Sequence, residues 1–384
     1  MQSEIKKLAY GLIYDLKGRK SKVDELYDLH NIKDKSTKQL KRILIKHNVQ
    51  SCAIAFLDEF GNDCYACAGL NNSYTINNET MFRLASISKL FLTIIALRLH
   101  ERQTIDIYED ISDFLKIKLR NPLYPNEKIT LEQILTHKSS IVDGNAYFNS
   151  FSSNPPFPEI MQFGEYKPGS KFSYSNFAYG ILGIVLEKVS GMSLEELLQE
   201  HICNVIDIKA SYFPSLDDDV ASSIRILNKS NTANYCFDKN TYQKNQNYKA
   251  LPLESQYLKA AGGVHCSASN LLKLAKALLR DNSEQKLLLS NNSMKLMQKI
   301  TSSYNSSSVK MHYGMGMQII DDKRVCNTPL YGHEGFAYGS VNAFFYDIDK
   351  NKAIIQLNGG AREWCNGKLA CLNQDIIKWY YNNY

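Results

Sequence analysis

Strand-like and helix-like segments are segregated along this chain, with strands near both ends and helices between them. Residues 51–57 (SCAIAFL) are small, apolar and β-branched, and residues 63–69 return after the turn DEFGN, which predicts a hairpin. A second pair of strands is predicted at 340–346 and 353–357 around the turn DIDKN, followed by a closing helix over 369–381. Between these ends lie the apolar run ISKLFLTIIALRLHE, opened by Ser86, and a helix over 177–189 stopped at Ser190-Gly191. A new helix starts at Ser193, with Glu196 as its capping-box partner, and another covers 267–280. One antiparallel sheet built from both chain ends satisfies this order, with terminal helices covering it and a helical part inserted between its halves. The expected fold class is therefore α+β, and the cleft between sheet and helical part is the natural ligand site.

Length bounds the domain count. At 384 residues, one large domain or two are possible. The pattern predicts a helical extension over residues 1–50 and a single domain over 51–384, with its sheet part about 51–80 and 310–384 and its helical part about 86–300. Residues 211–258 are polar and irregular and read as a surface-covering insertion.

Charge and cysteine usage exclude several classes. The net charge of +6 is spread out, and its densest stretch (Lys6, Lys7, Lys17, Arg19, Lys20, Lys22) is interrupted by Glu4, Asp15, Asp24 and Glu25. That is a solvated helical face, so no nucleic-acid partner is expected. The apolar patch near the N-terminus is cut by Asp15, and the run 90–97 is flanked by Lys89 and Arg98 and is too short to span a bilayer. Nine cysteines at irregular spacing fit reduced thiols, and a cytoplasmic location is expected. Cys64 and Cys67 form a C-x-x-C, but on a strand they point to opposite faces and no second pair completes a ligand set, so no metal is expected.

Three short elements carry chemistry. Ser86-Ile87-Ser88-Lys89 opens the apolar helix, and one turn puts Ser86 and Lys89 on the same face. A serine hydroxyl needs a neighbouring base, and a desolvated lysine can be that base. Tyr174-Ser175-Asn176 directly precedes the next helix; a tyrosine beside the lysine can serve as phenolate or proton relay, and Asn176 can hold Lys89 and donate to a substrate carbonyl. His333-Glu334-Gly335 leads into the strand at Ser340, where a glycine lets a substrate backbone run along the strand edge. Each of these is weak alone. His137 and His265 read as structural histidines, and no G-x-S-x-G elbow of a Ser-His-Asp hydrolase occurs.

In this order, S-x-x-K, Y-x-N and H-x-G resemble the serine β-lactamase and penicillin-binding-protein superfamily. The branch it resembles is that of class C β-lactamases and their esterase, D-aminopeptidase and DD-peptidase relatives. MFRLASISKLF, ITLEQILTHKSS, KPGSKFSYSNFAYGILGIVLEKVSG, KAAGGVHCSASNLLKLAKALL, YGMGMQI and YGHEGFAYGSVNAFF resemble family blocks from about residue 50 to 360. The resemblance implies that Ser86 is acylated while Lys89 and Tyr174 share the proton traffic. It also implies that Asn176 orients the substrate, with His333 and Gly335 in the binding element, and that the backbone N–H groups of Ser86 and Phe336 form the oxyanion hole. No cofactor is implied.

Two departures shape the expected substrate, the third element and the lack of a recognisable export signal, the latter favouring a small ester or amide over a cell-wall cross-link. His333 stands where β-lactamases carry lysine, and Glu334 adds a negative charge beside it, so recognition of an anionic carboxylate is expected to be weak. Lys138-Ser139-Ser140 stands where the family often has Thr-Ser-Gly, so that loop is expected to turn differently. A small ester, amide or D-amino-acid peptide is the expected substrate. A penicillin-binding DD-carboxypeptidase, a β-lactamase, an acyltransferase and a non-catalytic sensor remain as alternatives.

Overall fold

The two ends of the chain meet in the middle of one sheet. The computed structural model describes residues 23, 25–71, 74–149, 155–224, 234–235, 238–279, 288–305, 309–337 and 339–384. Ten strands form the main sheet. They are β1 (Leu26–His30), β2 (Ser51–Leu57), β3 (Asp63–Asn71), β4 (Tyr74–Thr75), β5 (Ser302–Asn305), β6 (Lys310–Tyr313), β7 (Gln318–Ile320), β8 (Leu330–Ala337), β9 (Ser340–Asp347) and β10 (Lys352–Asn358). Across the sheet the order is β1-β3-β2-β10-β9-β8-β7-β6-β5, with β4 also paired to β3. The seam between the chain ends is the antiparallel pair β2–β10, where Ala55 faces Ile355.

Five helices frame the sheet and the cleft: α1 (Asp34–Lys46), α2 (Ser88–Glu101), α3 (Asn176–Ser190), α4 (Ala268–Leu279) and α5 (Cys371–Asn383). Helices α1 and α5 cover one face of the sheet, tied by the Trp379 indole donating to the Ser36 carbonyl at 2.9 Å. The helical part, with α2, α3 and α4, covers the other. Both faces being buried explains why β2 shows no polar alternation. Ala53, Ala55 and Leu57 join the core on the helical-part side, while Cys52, Ile54 and Phe56 join the core under α1 and α5. Cys64 and Cys67 divide in the same way, as strand periodicity requires.

Helix α2 is apolar nearly all round because it is buried nearly all round: residues 90–97 are all inaccessible to solvent. Burying each Leu or Ile there contributes roughly 1.5–3 kcal/mol. Helix α3 starts where Ser175 Oγ accepts from the Ala178 N–H at 3.0 Å and stops at Gly191, whose φ of 71° suits a residue without Cβ. Among the described residues no single helix is long and apolar enough to cross a membrane.

Some expectations are corrected. Within the stretch expected to be helical through residue 50, Leu26–His30 is an edge strand, with Leu26 opposite Ala68 and His30 opposite Tyr65. A short polar–apolar segment such as LYDLH takes its form from the partner it pairs with, not from local propensity. The helix expected from 267 starts at Ala268, because His265–Ser267 pairs with Met81–Arg83 and with Ala210–Ser211 in a small second sheet. The insertion at 211–258 contains a helix, Lys239–Lys249, capped by Asp238; residues 225–233 and 236–237 lie outside the described residues.

Candidate active site

Strand Met81–Arg83 delivers the chain into a tight 3₁₀ turn, Ala85–Ile87, that runs directly into α2. Ala85 takes a φ of 51°, a left-handed conformation that costs an alanine roughly 1–2 kcal/mol. Ser86 follows it, partly exposed, between buried Ala85 and Ile87. One turn on, Lys89 is fully buried. Its Nζ lies 3.1 Å from Ser86 Oγ, 2.8 Å from Asn176 Oδ1 and 3.1 Å from the Ala261 carbonyl. Burial pushes the ammonium down to about 7, against the opposing pull of Asp143. A neutral lysine keeps two N–H protons. The Asn176 and Ala261 oxygens can only accept them, which turns the lone pair towards Ser86 Oγ.

Tyr174 closes this cluster. Its ring centre is 4.8 Å from Lys89 Nζ, and Ser86 lies close enough to its hydroxyl to affect its protonation. Burial raises the phenol well above its ordinary range, with Ser86 pulling the other way. Of the two forms the sequence left open, the phenol is the resting one.

Asp143 was not singled out by its sequence context. Its Oδ1 accepts from Ser175 Oγ and the Phe177 N–H, both at 2.8 Å. Its Oδ2 accepts from the Asn176 N–H at 3.0 Å and from Asn176 Nδ2 at 2.8 Å. The carboxylate thus sits on the N-terminus of α3, where free N–H groups and the helix dipole favour an anion. It also fixes which way the Asn176 amide faces: Nδ2 to Asp143, Oδ1 to Lys89. One Nδ2 proton remains for a substrate carbonyl. The signal was an acid in the loop preceding a helix, too common to single out.

Across the cleft, β8 brings His333 and Gly335 to the same face. The His333 ring centre lies 6.3 Å from that of Tyr174. Gly335 is required for close approach: a methyl group there would lie 2.1 Å from the Leu84 carbonyl oxygen, just ahead of Ser86. That reason differs from the one expected, which was room for a substrate backbone. Phe336 follows, its side chain 37% exposed. The sheet is pinned to the nucleophile turn a second time by Asn342 Nδ2, which donates to the Arg83 carbonyl at 3.0 Å.

The negative charge expected beside His333 is absent from the cleft. Glu334 points to the opposite face, where Asn373 Nδ2 and the Ala370 N–H donate to it at 2.6 and 3.0 Å. Burial pushes its carboxyl up to about 7. His333 is driven neutral by burial too, down to about 3, with Lys89 adding to the effect. The loop after His137 turns with Ser140 at a φ of 63°, so serine occupies a conformation that favours glycine. His137 is more than structural filling. Its ring packs against that of Tyr174, tilted by 33° with centres 4.2 Å apart. Among the described residues no group of three or more His, Cys, Asp or Glu is placed to hold a metal ion.

The beta-lactamase family model matches residues 65–358. The chain is similar to the D-alanyl-D-alanine-carboxypeptidase/endopeptidase AmpH of Escherichia coli, 27% identical over 150 residues, covering 36% of this chain and 38% of that protein. Matches to such curated relatives span about a third of the relatives' length. Among solved structures, the octameric penicillin-binding protein homologue from Pyrococcus abyssi superposes with a TM-score of 0.71 at 23% identity, over 91% of this chain and 76% of that one. EstCE1, a hydrolase with promiscuous acyltransferase activity, superposes with a TM-score of 0.69 at 18% identity, over 90% and 98%. At these identities the two structures show the shared fold.

Proposed function

This chain belongs to the beta-lactamase family, within the serine β-lactamase and penicillin-binding-protein superfamily, and on that premise we propose that it is a serine hydrolase cleaving an ester or amide through an acyl-enzyme on Ser86. The observation that carries the proposal is Lys89: a buried amine brought to about 7, 3.1 Å from Ser86 Oγ, with its other protons assigned to fixed acceptors.

In the first step Ser86 Oγ bonds to the substrate carbonyl carbon as its proton passes to Lys89 Nζ. The oxyanion that forms is held by the backbone N–H groups of Ser86 and Phe336, which act on charge present only in the transition state. The bond to the leaving oxygen or nitrogen then breaks, and Tyr174 passes that atom a proton drawn from Lys89. In the second step water attacks the acyl carbon, giving its proton through the same pair, and Ser86 leaves as the hydroxyl. Asn176 holds Lys89 in place and offers its remaining Nδ2 proton to the substrate. The reaction balances with protein groups and water alone.

The neutral His333 supports an uncharged acyl group over one ending in a carboxylate. Likeness to AmpH supports the alternative of a D-alanyl peptide substrate, and likeness to EstCE1 supports an alcohol or amine replacing water. A fluorophosphonate probe and a fluorescent penicillin, read by intact mass beside Ser86→Ala, separate these. Fluorophosphonate labelling that vanishes in Ser86→Ala, with penicillin ignored, is the expected result. Stable penicillin labelling would favour the peptidase reading, and no labelling by either probe would sink the acyl-enzyme.

A further inference from the structure

His137, Tyr313 and His333 come from three separate segments and meet beside the Tyr174 ring, and backbone groups at the two ends fix where each imidazole carries its proton. A backbone N–H can only donate, so the 3.1 Å contact from the Ser175 N–H leaves His137 Nδ1 without a proton. The ring proton of neutral His137 is then on Nε2, 3.0 Å from the Tyr313 hydroxyl oxygen. At the far end a backbone carbonyl can only accept, so the 2.5 Å contact to the Glu334 carbonyl puts the His333 proton on Nδ1. His333 Nε2 is left a bare acceptor 3.4 Å from the Tyr313 hydroxyl, and takes its proton.

We propose that Tyr313, with His137 and His333 on either side, is a positioning residue: the centre of a one-way hydrogen-bond chain, Ser175 N–H to His137 to Tyr313 to His333 to Glu334 C=O, that bolts the Tyr174–Asn176 loop to the strand carrying Gly335 and Phe336. The inference rests on the acyl-transfer reading of the site and goes beyond it. Two of its members, Ser175 and His137, belong to the helical part; the other three, Tyr313 on β6 and His333 and Glu334 on β8, belong to the sheet. The chain therefore ties the helical part to the sheet beside the reacting groups, through buried side chains. It is a frame and not a proton wire, because both ends are backbone groups with no proton to give up or receive. Tyr174 meets it through ring contacts, with centres 4.2 Å from His137, 6.3 Å from His333 and 6.4 Å from Tyr313. Nor is His333 a substrate receptor, since neither of its nitrogens has an N–H left to offer.

The test uses the full chain and p-nitrophenyl butyrate, a neutral ester. Tyr313→Phe removes the central hydroxyl and keeps the ring, which packs 4.9 Å from His137 and 5.3 Å from Phe172. The expected result is a kcat lower by about 10–100-fold with KM changed less than about twofold, since a misplacement near 1 Å costs on that order. His137→Asn suits the φ of 55° and keeps an acceptor for the Ser175 N–H while losing the donor to Tyr313. It should lose as much, and the double variant no more than either alone, because the two act through one chain. Wild-type kcat in Tyr313→Phe, a loss confined to KM, or losses that multiply in the double variant would each overturn the proposal. Ser86→Ala separates the two claims. If it still turns over the ester, the acyl-enzyme reading falls and this inference with it. If it is dead while Tyr313→Phe is normal, only the chain is refuted.

Discussion

Lys89 and His333 are both buried bases beside the Tyr174 ring, with burial pressing each towards its neutral form, yet they are prepared for different work. Lys89, in the helical part, is brought only to about 7 and keeps a lone pair directed at Ser86. His333, on the sheet, is driven to about 3 and has both nitrogens committed to fixed partners. The difference lies chiefly in where each group starts: burial lowers an amine from 10.5 and an imidazole from 6.5 by a similar amount, so only the lysine ends in the working range, with Asp143 favouring its charged form and Lys89 opposing charge on His333. One half of the cleft titrates in the working range, and the other is held fixed so that the first has something to work against.

Removing the titrating member should have the largest effect. Lys89→Met should lower ester turnover by about 10³-fold, within the range of a lost general base, while leaving a folded protein by circular dichroism. Disturbing the fixed half should cost less. Gly335→Ala places a methyl group against the Leu84 carbonyl, which is backbone and cannot swing aside, so β8 must move from Ser86. A loss of about 10²-fold in kcat is expected, with the melting temperature reporting whether the strand has moved or the fold has failed.

The two bases should also separate in their pH dependence. The reactive form of Lys89 is neutral, so acylation should rise with pH and level off above about 7. Below that point the rate should fall about tenfold per pH unit. Asp143→Asn removes a carboxylate that raises Lys89, so the limb should shift to lower pH in stopped-flow acylation. His333 should appear in stability instead. Its folded value lies below the unfolded one of about 6.5, so the unfolded state binds the proton first. Its contribution is complete above about pH 6.5 and is lost as pH falls from there towards 3. In His333→Gln the melting temperature should depend less steeply on pH across that window.

Much of this frame was legible in the sequence. Ser86, Lys89, Tyr174 and Asn176 sit at helix starts marked by apolar runs, and the strands at both chain ends were visible in their β-branched content. What escaped detection depends on contacts between distant segments. Tyr313 reaches His137 across 176 positions, and no local pattern marks either as a partner of the other. Asp143 meets Asn176 by the same kind of long loop closure. The placement of Glu334 was within reach: on a strand, neighbours alternate faces, so a strand recognised from Leu330 rather than Ser340 would have turned Glu334 away from His333. The edge strand Leu26–His30 was not, because only its pairing with β3 makes it extended.

Covalent catalysis on Ser86 by a lysine neutral near pH 7 can be watched by time-resolved intact mass during p-nitrophenyl butyrate turnover across pH 5–9. The expected result is a butyryl adduct that maps to Ser86, forms at a rate rising to a plateau above about pH 7, and is absent in Ser86→Ala. Turnover without an adduct, in a protein whose Ser86→Ala variant remains active, would refute it.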